Sequence, residues 1–83
     1  MTWQEAYERV ARRFREMGAI ATSRWLYRCA RVPPRSPHYP FEWNEVAEVA
    51  RDLARLTGDP YDQELARQVA ELRDAAWRAI RGG

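Results

Sequence analysis

Apolar side chains fall at Trp3, Ala6, Tyr7, Val10, Ala11, Phe14 and Met17. Steps of three and four keep them on one face of an α-helix. Thr2 and Glu5 have the spacing of a capping box, so this helix is predicted to start at once. Glu5, Glu8, Arg9, Arg12, Arg13 and Glu16 fill the opposite, solvent-directed face. Glu5 with Arg9, and Glu8 with Arg12, are four-residue pairs worth about 0.2–0.5 kcal/mol each. Gly18 suits the left-handed residue that ends a helix.

A second helix is predicted over residues 19–32, with two apolar faces. Ile20, Ser23, Tyr27 and Ala30 form one, and Trp25, Cys29 and Val32, flanked by Leu26, form the other. A helix apolar on two sides is expected to lie between neighbours. Pro33, Pro34, Pro37 and Pro40 then break the periodicity. Residues 33–40 read as a stiff connector, with a polyproline II docking segment as the alternative. A third helix is predicted over 42–57 on the stripe Val46, Val49, Ala50, Leu53 and Leu56, with Trp43 at its start. Gly58-Asp59-Pro60 is a helix–helix junction: a left-handed stop, a cap and a first-turn proline. The fourth helix, 60–81, carries Leu65, Val69, Leu72, Ala76 and Ile80, with Trp77 off that stripe.

The expected fold is all-α. Four helices form two helix–turn–helix hairpins, 2–32 and 41–81, in one small domain spanning 1–83. Tyr7, Val10, Phe14, Tyr27, Val46, Leu53, Val69 and Leu72 are the expected core. A chain of this length buries only about 60–65% of its unfolded surface. A protein partner, a second copy of the chain among them, is therefore plausible on stability grounds.

Tyr7, Val10, Ala11, Phe14, Gly18, Ile20, Ser23, Tyr27, Ala30 and Pro33-Pro34 together resemble the tetratricopeptide repeat, a 34-residue helical hairpin. The resemblance covers residues 3–34 and is weaker over 41–81, where Tyr7 and Trp43 stand 36 positions apart. A closed four-helix bundle is the alternative arrangement. The resemblance implies a non-enzymatic module that binds another protein in a groove lined by the outer faces of its first helices. By position it nominates Glu5, Glu8, Arg12 and Arg15 from helix one, and Asn44, Glu48 and Arg51 from helix three. The residue set that clamps a C-terminal carboxylate in some members of that family is absent.

Charge adds a second candidate surface. All fourteen basic residues are arginine. Codon bias in a GC-rich genome accounts for this, with selection for forked contacts to carboxylate or phosphate as the alternative. Residues 1–41 hold eight arginines against three acids, a balance of +5, and residues 42–83 hold six against nine, a balance of −3. Arg24, Arg28, Arg31 and Arg35 follow one another at helical spacing with no acid among residues 17–41. Such a ridge could follow a phosphate backbone, with Trp25, Tyr27 and Tyr39 stacking on bases. Nucleic acid is thus the alternative partner.

Chemistry is thinly represented. Glu45, Glu48, Glu71 and Asp74 resemble the paired acids of all-α, Mg²⁺-dependent nucleotide pyrophosphohydrolases of the MazG type. At 100° per residue, however, Glu45 and Glu48 fall about 80–140° from the apolar stripe of helix three, and Glu71 and Asp74 about 130–170° from that of helix four. Solvated, salt-bridged faces are expected instead. Cys29 and His38 lack an orienting third group, His38 has no second metal ligand near it, and no glycine-rich phosphate loop is present. The chain is expected to use no cofactor. One cysteine, no apolar run of about 20 residues and no secretory leader make the cytoplasm the expected address, without a membrane span.

Overall fold

The computed structural model describes residues 1–25, 27–28 and 38–82. Among these the chain is all-helical: α1 (Trp3–Glu16), α2 (Ala19–Trp25), α3 (Pro40–Thr57) and α4 (Pro60–Gly82). The predicted starts and stops have visible causes. Thr2 is extended, and its hydroxyl accepts from the Glu5 N–H at 3.1 Å, which caps α1. Gly18, at φ +107°, turns the chain out of α1. Gly58, at φ +64°, ends α3, and its N–H donates to the Ala54 carbonyl at 2.9 Å. Asp59 then opens α4, its Oδ1 accepting from the Tyr61 N–H at 2.9 Å. Nothing lies within 4 Å of a Cβ built on Gly58. Gly58→Ala should therefore cost only the backbone penalty of a left-handed residue, about 1–2 kcal/mol, read from the urea midpoint.

α3 and α4 form the largest helix–helix contact, with α1 laid across them and α2 packed on α1. Ala47, Ala50 and Ala54 on α3, with Ala76 on α4, are small enough to let the two helices approach closely. The core is filled by Val10, Phe14, Trp25, Trp43, Val46, Leu53, Leu65 and Val69. Five of the eight expected core residues are buried as read, and Tyr7 and Leu72 are half-buried. Tyr27 is not: it is 72% exposed.

Tyr27 belongs to a wider correction. In its described part α2 packs chiefly on α1, and Leu26, Cys29 and Val32 of its second apolar face lie outside the described residues. Trp25 turns inward, its ring 5.0 Å from Tyr7 and stacked 5.6 Å from Phe14. Burying that face puts Ile20, Ser23 and Tyr27 on the far side, in solvent. α3 does not come to cover them, because its apolar stripe is taken up by α4 and α1. Leu56 and Ile80, both read as stripe residues, are also exposed. The described part of α2 stops at Trp25, with Tyr27 and Arg28 in a π-helical turn. Leu26 and residues 29–37, which include Cys29, Arg31, Arg35 and most of the proline-rich connector, lie outside the described residues. Pro40 already belongs to α3, so that helix starts two residues earlier than expected.

Candidate functional site

Among the described residues, two arginines tie the basic first half of the chain to the acidic second half. Arg13, at the end of α1, grips Asp62 in the first turn of α4 with both arms of its guanidinium, Nε to Oδ1 at 2.6 Å and the terminal nitrogen to Oδ2 at 2.7 Å. The Asp62 side chain is fully buried. The Thr57 hydroxyl donates to its Oδ2 at 2.7 Å and accepts from the Asp59 N–H at 3.2 Å. Arg13 also reaches Glu16 at 2.8 Å and lies over the Tyr61 ring. The Arg13 bonds, and then the Thr57 hydroxyl, hold the Asp62 carboxyl below its ordinary range against the opposing effect of burial. Arg13, placed by the sequence on a solvated face, is therefore a structural partner.

Arg28 is the second tie. It meets Glu45 at 3.2 Å, Glu48 at 3.0 Å and Asp52 at 3.4 Å, three carboxylates along one face of α3. It spans the gap between α2 and α3. Within that gap is a groove of about 320 Å³. Phe14, Val49 and Leu53 form its floor, and Met17, Ile20 and Leu56 stand at its mouth. Ile20 is 81% exposed and Leu56 71%. Arg24 stands on the α2 wall, and Arg28 and Asp52 line the groove as well.

The nominated residues divide among several places. Glu5, Glu8, Arg12 and Arg15 are exposed on α1, and Glu8, Arg12 and Arg15 border a shallow depression over Tyr7 and Ala11. Asn44 accepts a hydrogen bond from the Trp77 Nε1–H at 3.2 Å. Glu48 is held by Arg28. Arg51 lines a separate depression between α3 and α4, with Ala47, Arg67 and Arg73. Arg51 thus borders a different depression from the α1 set. Of the arginine ridge, Arg24 and Arg28 line the apolar groove, and Arg31 and Arg35 lie outside the described residues. Trp25, named as a base-stacking residue, is 3% exposed and packed in the core. Tyr27 and Tyr39 remain accessible.

The four acids of the pyrophosphohydrolase-like pattern are taken by arginines, with no partner shared between α3 and α4. Glu45 and Glu48 sit on Arg28, Glu71 on Arg67 and Asp74 on Arg73. No three His, Cys, Asp or Glu side chains among the described residues are grouped to hold a metal ion. Because these pairs are half-exposed, Glu48→Gln and Asp74→Asn should each change stability by less than about 0.5 kcal/mol. Mg²⁺ should leave the melting temperature of the protein where it is. Triphosphate hydrolysis abolished by either substitution would contradict this.

Among the described residues no helix is long and apolar enough to cross a membrane. Compared with protein-family models, curated proteins and solved structures, the chain matches none.

Proposed function

We propose that this protein is a small non-enzymatic module that binds another protein through the groove between α2 and α3. One observation carries the reading. Met17, Ile20 and Leu56 keep large apolar side chains in water around an open apolar floor, although the core nearby had room for Trp25 and Phe14. Solvated aliphatic side chains clustered on a concave surface are the mark of an interaction site. The groove is at the small end of ligand-binding cavities and open to solvent, which suits side chains of a bound segment better than an enclosed small molecule. The α1–α2 hairpin is read as similar to a tetratricopeptide unit, since Tyr7, Phe14 and the Gly18 turn stand at that unit's positions. The binding face is then not the one that family uses.

The test is a displayed library of unconstrained peptides panned against the wild-type chain, with a variant carrying Ile20→Asp and Leu56→Asp as counter-selection. Both residues are exposed, so the variant should keep the wild-type helical signal in circular dichroism. Peptides that bind the wild type and not the variant support the reading. A second arm titrates labelled oligonucleotides at two salt concentrations. Dissociation constants no tighter than about 10⁻⁶ M at physiological salt are expected, rising further as salt increases. Nanomolar oligonucleotide binding that is lost when Arg24, Arg28, Arg31 and Arg35 become glutamine would make nucleic acid the partner instead.

A further inference from the structure

The proposal drawn here rests on the groove being a protein-binding site and names what occupies it. Most of the chain's twelve carboxylates are already engaged. Asp62 and Glu16 are taken by Arg13, Glu45, Glu48 and Asp52 by Arg28, Glu64 and Glu71 by Arg67, and Asp74 by Arg73. The cations are not used up in the same way. Arg12, Arg15, Arg24, Arg51 and Arg55 pair with no carboxylate among the described residues. One of them bears on the groove: Arg24 lines its α2 wall.

The groove also has a direction. It runs between two helices, is apolar along its floor, and is crossed by the Arg28 bridge. Those three acids are satisfied from within, whereas the guanidinium of Arg24 is left for something outside the chain. Backbone groups of a bound segment would find few partners on helical walls, whose own N–H and C=O groups are bonded internally. A segment that satisfies its own backbone avoids that cost. Helices do so, and an amphipathic helix laid in an apolar groove presents side chains at i, i+3, i+4 and i+7.

We infer that the occupant is an amphipathic helix of a partner protein, with aliphatic or aromatic side chains filling the space between Ile20 and Leu56 and an acidic residue on its flank opposite Arg24. The apolar side chains supply most of the affinity, and the acid sets orientation and selectivity, as rim charges do.

The experiment uses a second displayed library alongside the unconstrained one. Its members are helix-favouring 18-residue peptides with a fixed leucine stripe and randomised flanks. Enriched peptides are synthesised and measured against the full chain and against Ile20→Asp, Arg24→Gln and Arg24→Glu. Helical peptides with an acidic flank position should dominate. Ile20→Asp should weaken them by at least about tenfold, as an anchor contact does. Arg24→Gln should weaken them by about three- to fivefold, the size of a partly exposed ion pair. Arg24→Glu should weaken them further, and a lysine at the acidic peptide position should restore that binding. Helical binders that depend on Ile20 but carry neutral or basic flanks and ignore Arg24 would overturn the acidic partner and leave the groove reading standing. Groove-dependent binders found only among unconstrained, extended peptides would overturn the helix. If neither library yields a binder sensitive to Ile20→Asp, the inference and the protein-binding reading fall together.

Discussion

Arg13→Ala should destabilise the protein by about 3–5 kcal/mol, the cost of leaving a buried carboxylate without its partner. The Asp62 side chain has no contact with solvent, and only the Thr57 hydroxyl remains to satisfy it once the guanidinium is gone. That is a large share of the total stability of a chain this short. Asp62→Ala should be the milder change, because Arg13 keeps Glu16 and about one-fifth of its surface in water. Replacing both partners, Arg13→Met with Asp62→Leu, should recover much of the loss, since a packed apolar pair avoids desolvating two charges. Urea unfolding at neutral pH measures all three. The pH dependence follows from the lowered carboxyl. Its contribution is complete above the unfolded value, about 3.9, and is lost as pH falls through the lower folded one. The gap between wild type and Arg13→Ala should therefore narrow below about pH 4. A variant as stable as wild type at pH 7 would show that the contact does not hold α1 to α4.

The other large effect is expected at Trp25. It is the sole buried side chain of α2 among the described residues, stacked on Phe14 and tilted against Tyr7. Trp25→Ala should cost about 3–5 kcal/mol. Phe14→Ala should cost a similar amount, since it removes the other half of the same stack. The two losses should not add. Residues in direct contact couple by about 0.5–3 kcal/mol, and a double-mutant cycle measures that coupling. Additive losses would mean that the stack itself contributes nothing beyond the burial of each ring.

Most of the architecture was legible because it is local. Thr2, Gly18, Gly58, Asp59 and Pro60 act within a few residues of themselves, and each does what its chemistry requires. The stripes of α1, α3 and α4 were equally plain. What was missed depends on which helix meets which. Two apolar faces on the second helix implied two neighbours, but along its described residues α2 packs chiefly on α1, and Ile20 and Tyr27 stay in water and border or flank the candidate site. The Arg13–Asp62 pair did leave a trace. Arg13 follows Val10 by three and Ala6 by seven, and Asp62 precedes Leu65 by three and Val69 by seven. Both charges therefore sit on the buried stripes of their helices, and each is an anomaly that the other resolves. Read separately, they look like surface residues. The contrast between a basic and an acidic half has a matching explanation. Arg13 and Arg28 reach five of the acids of the second half, Asp59, Asp62, Glu45, Glu48 and Asp52, within one molecule.

The thinness of α2's attachment has a consequence for how the molecule fluctuates. Among the described residues α2 is held to the rest by Trp25, the half-buried Ala21 and the Thr22 hydroxyl on the Phe14 carbonyl, with the Arg28 bridge beyond its end. α3 and α4 share a far larger buried seam. Amide hydrogens in α2 should therefore exchange by a local opening that leaves α3 and α4 folded, while those facing the α3–α4 seam wait for global unfolding. One wall of the groove then exchanges only on global unfolding and the other by local opening. Occupancy of the groove should be visible first as slowed exchange in residues 19–25.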